Sequence, residues 1–310
     1  MLQGRSGADD LLDPRGAEDE ALAAFRSVRP RLFGIAYRML GSAADAEDLL
    51  QDVWLRWQTT DRSVVLDAPA FLATTTIRLA INVFQSARSR HETYVGSWLP
   101  EPVATHDDPY LGAERGEALE FAVLLLLEKL SATERAAYVL REAFDYSYEQ
   151  IAEVLQITET NLRQHVSRAR KHIADGRRAS VGPTEQRRLL GAFVEAAQKG
   201  DLAGLEELFA ADIVSSADGG GIVRAARTPV EGRERVAKFI TAVAPHFWKG
   251  VEVVFIEANG GPAALVIRDG RAVALAMIDA TAEGIVQILW MMRPSKLTGV
   301  SRLLQSPTAH

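Results

Sequence analysis

The chain has 310 residues, no cysteine, and a formal net charge of −6 from 35 Lys+Arg and 41 Asp+Glu. At roughly 150 residues per domain that length predicts about two domains, or three small ones, and 47% hydrophobic with 25% charged residues excludes collagen-like, low-complexity and wholly disordered chains. The missing cysteine excludes a disulfide framework, a thiol nucleophile and thiolate metal ligation, and no apolar run approaches the roughly 20 residues of a membrane span.

The first twenty residues, MLQGRSGADDLLDPRGAEDE, lack the apolar stretch of a secretion signal. They are expected to be a mobile acidic lead-in to a soluble, cytoplasmic protein. Net acidity argues against a generally basic coat for nucleic acid, so charge has to be read segment by segment.

Residues 18–95 are helical in pattern. Leu22, Phe25, Leu32, Ile35, Ala36 and Met39 recur at helical spacing, with Pro30 expected to break or bend the helix and Gly41 to end it. A second helix carries Leu49, Leu50, Val53, Trp54 and Trp57 on one face and Asp45, Asp48, Gln51, Asp52 and Arg56 on the other. Trp54 reads as core, Trp57 suits either the core or an interface, and Leu55 suits an apolar interface anchor. A third helix is expected from Ala70 to Ser86, breaking at Ala87-Arg88-Ser89-Arg90-His91. Three amphipathic helices with short loops predict a small helical domain.

Residues 96–113 form an irregular linker with Pro100, Pro102 and Pro109. Residues 114–178 are strongly helical. Ser131 with Glu134, and Ser147 with Gln150, have capping-box spacing and open two helices. A short turn, Gln156-Ile157-Thr158, leads to a further helix with Leu162, Val166, Ala169 and Ile173 inward. That is the grammar of a helix-turn-helix. The outer face carries Arg163, Gln164, His165, Ser167, Arg168, Arg170 and Lys171, and from Glu159 to Arg178 six Lys/Arg stand against two acids. Such residues suit phosphates and base edges; a solvated face of an ordinary bundle is the alternative.

Residues 184–298 begin with helices at Glu185–Lys199, Leu202–Phe209 and Arg233–Ala244. They end in four apolar strands, VEVVFIEAN, PAALVIRD, AVALAMID and GIVQILWM, with Asp269-Gly270 as a hairpin turn. Helices followed by an antiparallel sheet predict an α+β domain.

The stretches RPRLFGIAYRMLGSAADAEDLLQDVWLRW and APAFLATTTIRLAINVFQSARSR resemble the sigma-2 domain of bacterial extracytoplasmic-function sigma factors. LSATERAAYVLREAFDYSYEQIAEVLQITETNLRQHVSRARKHI resembles their sigma-4 domain. The final block resembles a SnoaL-like, NTF2-like cone. The order matches the subgroup that carries such an extension in place of a separate anti-sigma protein. The implied fold class is multidomain: two all-α sigma domains, a helical bundle and a helix-turn-helix, followed by an α+β cone-shaped domain.

The resemblance also implies roles. Asp45, Asp48, Gln51, Asp52 and Leu55 would dock on the clamp of the largest subunit of RNA polymerase core. Asn82, Gln85, Ser86, Arg88 and Arg90 would grip the unpaired −10 strand of promoter DNA. Arg163, Gln164, His165, Ser167, Arg168 and Lys171 would read the −35 element. Trp98-Leu99-Pro100-Glu101-Pro102 matches a linker pentapeptide of the subgroup, and Asp218-Gly219-Gly220-Gly221 a glycine-rich motif of the extension. A C-terminal Asn-Pro-Asp-Lys-Leu motif is represented by Arg293-Pro294-Ser295-Lys296-Leu297, without its two polar residues. These pieces are expected to make regulatory contacts between domains, with Lys296 a partner for Glu101.

A monomer is expected, with no cofactor, no metal and no membrane association. An alternative places a small-molecule enzyme or a ligand-sensing DNA-binding regulator on the cone. Its candidate polar groups are Asp212, Asp218, His246 and Asp279.

Overall fold

A computed structural model describes residues 14–92, 94–104 and 120–302, apart from the side chains of residues 14–17 and 87–92. The expected lead-in over residues 1–13, the linker beyond residue 104 with Pro109, and residues 114–119 lie outside the described residues.

Helices α1 (Pro14–Leu40), α2 (Ala43–Thr59) and α3 (Ala68–Glu92) make the first bundle. Pro30 does not end α1. A mid-helix proline costs about 3 kcal/mol, but buried residues on both sides, Ala21 and Phe25 before it and Leu32, Ile35 and Met39 after it, hold one continuous helix in the core. Gly41 ends the helix with φ +65°, and Ser42 caps α2 by accepting from the Asp45 N–H at 3.1 Å. Helix α3 runs on through the expected break at Ala87–His91 to Glu92, because that polar run contains no Pro or Gly to stop it.

Helices α4 (Phe121–Leu127), α5 (Ala132–Tyr138, followed by a π turn at Val139–Ala143), α6 (Tyr148–Leu155) and α7 (Glu159–Gly176) make the second block. Both capping boxes are formed. Gln156 takes a left-handed conformation at the turn, and Thr158 caps α7. The two helical blocks share one apolar core, from Ala21 to Ile173. Buried arginines pin them together: Arg135 Nε donates to the Arg38 carbonyl at 2.9 Å, Arg135 also pairs with Glu128, and its guanidinium lies 4.8 Å over the Phe84 ring.

The third unit contains α8 (Pro183–Lys199), α9 (Leu202–Leu208), β1 (Phe209–Asp218), β2 (Val230–Glu231), α10 (Arg233–Phe247), β3 (Glu252–Ala258), β4 (Gly261–Arg268), β5 (Arg271–Thr281), β6 (Gly284–Met291) and α11 (Pro294–Ser301). The sheet order is β2-β1-β6-β5-β4-β3. All neighbours are antiparallel except β1 and β6, which run parallel. Strands β1 and β2 and helix α11 were not among the expected elements, and α10 runs past Ala244 through Pro245.

Residues along a strand alternate between faces, and here both faces are apolar. Ala264, Val266, Ala274, Ala276, Ile288 and Trp290 point into the cone with Phe193 and Ile240. Leu265, Leu275, Met277, Leu289 and Met291 point outward, where Leu99, Phe121, Leu297 and Val300 cover them. Two-sided burial explains why β4 to β6 read as continuous apolar runs. It also ties linker, second block and terminal helix to the back of the sheet.

Candidate functional site

Helix α7 owes its two-faced character to its four buried positions, Leu162, Val166, Ala169 and Ile173. Packing these against α5 and α6 leaves Arg163, Gln164, Ser167, Arg168 and Lys171 exposed and His165 half-buried. Thr160, Arg163, Gln164, Ser167 and Arg168 line a shallow depression on that face. The charges are held by short-range partners. Arg163 pairs with Glu159 at 2.9 Å and lies 4.3 Å over the Tyr148 ring, and Arg168 pairs with Glu134 at 2.8 Å. Burial raises the Glu134 carboxyl, but its bonds to Arg168 and Ser131 outweigh that and hold it below its ordinary range. Burial and the neighbouring Arg168 push His165 down, towards the neutral imidazole. The Arg163–Glu159 pair is exposed and contributes about 0–1 kcal/mol, so a phosphate or base edge can take Arg163 at little cost, whereas Arg168 is held more firmly by the half-buried Glu134.

On α2, Asp48, Gln51 and Asp52 are exposed and Asp45 is half-buried. Leu55 stands on the same helix 58% exposed, whereas Trp57 is 2% exposed. The Trp57 indole donates to the Ala21 carbonyl at 3.0 Å, which makes Trp57 a core residue; Trp54 packs beside it on Phe25. Near the end of α3, Asn82, Gln85 and Ser86 are exposed. The side chains of Arg88 and Arg90 lie outside the described residues.

The linker from Tyr94 to Ala104 is an extended strap clamped on both sides. On the helical side, Glu101 caps α2. Its carboxylate accepts from the N–H groups of Ala43 at 2.9 Å and Ala44 at 3.2 Å, and from the Ser42 hydroxyl at 3.3 Å. The Glu101 N–H donates to the Gly41 carbonyl at 2.7 Å, and its own carbonyl accepts from the Tyr37 hydroxyl at 2.7 Å. Burial pushes the Glu101 carboxyl up, opposed by the Ala44 and Ala43 N–H groups. A Cβ on Gly41 would come within 2.8 Å of the Trp98 ring, so the chain reversal also seats the tryptophan.

On the cone side, the centre is Asp218, fully buried at the end of β1. Its carboxylate accepts four bonds: from the Tyr94 hydroxyl at 2.5 Å, the Leu99 N–H at 3.0 Å, the Gly220 N–H at 3.1 Å and Lys296 Nζ at 2.8 Å. Lys296, from α11, also donates to the Leu99 carbonyl and lies 4.3 Å over the Trp98 ring. Burial depresses Lys296 from its ordinary value, opposed by the Asp218 charge. Burial and the bond to Asp218 push Tyr94 up to about 12. Lys296 therefore pairs with Asp218; the expected partner, Glu101, is engaged at the α2 N-terminus. Further along, Asn259 joins all three parts: it accepts from the Val103 N–H at 3.0 Å and donates to the Tyr37 hydroxyl at 2.7 Å.

Pro100 and Pro102 are buried, and Leu297 is covered on the outer face of the sheet. Gly219, Gly220 and Gly221 form the turn after Asp218. At Gly220, φ is +62° and a Cβ would meet Arg293 Cδ at 2.9 Å and the Tyr94 hydroxyl at 3.1 Å, so that turn is a seat for the strap.

Two families match the helical blocks: Sigma-70 region 2 over residues 24–90, and Sigma-70, region 4 over residues 120–173. The ECF RNA polymerase sigma factor SigJ of Mycobacterium tuberculosis is 34% identical over 289 residues, 89% of this chain and 92% of that protein. The probable ECF sigma factor SigI of the same species is 30% identical over 90% of this chain and 95% of its own length. The crystal structure of SigJ superposes with a TM-score of 0.71 at 31% identity, covering 90% of this chain and 98% of that one. The chain belongs to the extracytoplasmic-function sigma factors.

As a sigma factor of the subgroup with a SnoaL-like extension, it binds RNA polymerase core and promoter DNA and initiates transcription. Sigma factors are not enzymes, and the four candidate polar groups of the cone have separate surroundings. Asp212 pairs with Arg178 at 2.6 Å, Asp279 accepts from Ser180 at 3.0 Å, His246 is exposed on α10, and Asp218 is consumed by the strap. Among the described residues no group of His and acidic side chains could hold a metal ion, and no helix is long and apolar enough to cross a membrane. Tyr94, Asn259, Tyr37 and Arg135 had no part in the sequence reading. Asn259-Gly260, a turn dipeptide before a strand, was the one local signal among them.

Proposed function

We propose that the cone regulates the sigma domains in cis by fastening the Tyr94–Ala104 strap, and that the fastened form is the idle one. The buried Lys296–Asp218 pair, closed around Leu99, carries this reading. A charge pair with almost no solvent contact is stable only while all its partners are in place, so the strap is held as a unit or released as a unit. In the fastened form both sigma domains share one core, which fixes their spacing. On polymerase, Asp45, Asp48, Gln51, Asp52 and Leu55 meet the clamp of the largest subunit. Asn82, Gln85, Ser86, Arg88 and Arg90 hold the opened −10 strand, and Arg163, Gln164, His165, Ser167, Arg168 and Lys171 read the −35 element. The free protein is a monomer.

Two truncations test the regulatory part. Removing everything after Gly182 takes away the cone; removing everything from Arg293 takes away only α11 and its lysine. Transcription from a cognate promoter should differ from full length in both, and differ between the two. Equal activity in all three proteins would refute regulation by the cone.

A further inference from the structure

The cone holds an open-mouthed apolar cavity of about 100 Å³ that takes no part in the strap. Its walls are Phe239, Val243, Phe247, Trp248, Trp290 and Met292. Three of these rings pack on one another as a single wall: Phe247 and Trp248 have centroids 4.8 Å apart, Phe247 and Trp290 5.4 Å, and Trp248 and Trp290 6.3 Å, at steep interplanar angles. Rings at steep angles present faces and edges to the same space, which suits a flat aromatic guest. The volume is on the order of the ~150 Å³ apolar cavity that takes up benzene, so the guest has one ring.

Arg224 also lines the cavity and is exposed. No hydrogen bond or ion pair engages it among the described residues. An aromatic wall alone would favour a cation; a guanidinium beside it repels one and attracts a carboxylate, which it binds in a two-pronged fashion. We propose that this cavity binds a small carboxylate bearing a single aromatic ring, the ring against the Phe247–Trp248–Trp290 wall and the carboxylate on Arg224.

The cavity shares structure with the strap. Ala217, Arg224, Ala225 and Ala226 line it on one side and border the groove of Val95 and Gly96 on the other. Ala217 directly precedes Asp218, and a Cβ on Gly221 would lie 3.2 Å from Val95. A guest that pins Arg224 fixes the loop on which the strap rests, and a ligand that binds the fastened form stabilises it. This second step rests on the regulatory reading above; binding itself does not.

Tryptophan fluorescence and ligand-observed NMR on the full chain, with benzoate, phenylacetate and the neutral benzamide as probes, test binding. Benzoate and phenylacetate should bind saturably, and benzamide at least tenfold more weakly. Arg224→Gln, an exposed loop change, should bring benzoate down to the benzamide level. Val243→Phe, which fills the mouth, should remove binding of all three while the circular dichroism spectrum stays native. Absence of saturable carboxylate binding, or benzoate affinity unchanged in Arg224→Gln, overturns the site. For the second step, saturating benzoate should slow hydrogen exchange of the Val95–Val103 amides at least threefold. Binding with unchanged exchange overturns the coupling alone, and leaves the truncation experiment to judge regulation by the cone.

Discussion

Lys296→Met keeps the aliphatic stem against Trp98 and removes the charge. Asp218 is then left fully buried with three donors, the Tyr94 hydroxyl and the Leu99 and Gly220 N–H groups, and no directly bonded counter-charge; Arg293 reaches it only through the Tyr94 hydroxyl, at 3.1 Å. Breaking a buried pair from one side costs about 3–5 kcal/mol. At 1.4 kcal/mol per tenfold, the open form of the strap should rise by between about two and nearly four orders of magnitude. The Leu99 amide reports this directly, because its N–H is donated to Asp218. Its hydrogen exchange should accelerate by that factor, while the interior amides of β5 keep their protection. Asp218→Asn combined with Lys296→Met removes both charges and should lie closer to the native rate than Lys296→Met alone. Unchanged exchange at Leu99 would refute the claim that the pair holds the strap. Equal acceleration in β5 would show that Lys296 supports the whole domain instead.

Other expectations follow from the same geometry. Gly41→Ala introduces a Cβ at φ +65° within 2.8 Å of the Trp98 ring; it should raise protease cleavage in the strap and lower thermal stability by about 1–3 kcal/mol. Arg163→Ala and Arg168→Ala should each weaken −35 binding by roughly 1–3 kcal/mol where a bidentate base contact is lost, with folding stability lowered by no more than about 1 kcal/mol, measured by promoter titration and urea denaturation. Asp48→Ala with Asp52→Ala should reduce affinity for core polymerase with a similarly small stability change, read by a binding titration beside a melt. The raised Glu101 carboxyl gives a pH signature. A folded value above the unfolded 4.5 means the native state holds the proton more tightly, so its stabilising contribution is complete below 4.5 and is lost as pH rises through the folded value. Relative to Glu101→Gln, the native protein should therefore gain stability as pH falls through that window, measured by urea denaturation at each pH; a constant difference would refute the assignment.

Legibility in the sequence followed the range of the forces involved. The helix-turn-helix was readable almost to the residue because its signals are local: Ser131 with Glu134 and Ser147 with Gln150 set the helix starts, and four apolar positions in α7 set its buried face. Strands β4 to β6 were readable as apolar runs with Asp269-Gly270 between two of them; both turn residues have positive φ. Strand β1 was not, because its last residues, Ser215, Ser216 and Asp218, are polar and buried only through partners distant in sequence. Pro30 misleads because apolar packing on both sides of it overrides its local breaking tendency, whereas Ala87–His91 misleads because a polar run without Pro or Gly carries no stop. The three interdomain motifs could be picked out separately, but no spacing says which charge meets which. Lys296 had two acids within its candidate set, and only the fold shows that Glu101 is taken by the α2 N-terminus, leaving Asp218. Tyr94 belongs to the same network and carries no motif that marks it, and the Asn259-Gly260 dipeptide marks a turn but not a partner.

The most direct test of the central claim is the distance between the two sigma domains. The chain has no cysteine, so Leu66→Cys and Glu153→Cys, both at exposed positions, can be labelled as a single donor–acceptor pair on the full chain. Single-molecule energy transfer should show one high-efficiency population in the free protein, a shift to low efficiency on adding core polymerase, and a partial shift in free Lys296→Met. Identical efficiency in the free and polymerase-bound protein would contradict a fastened idle form.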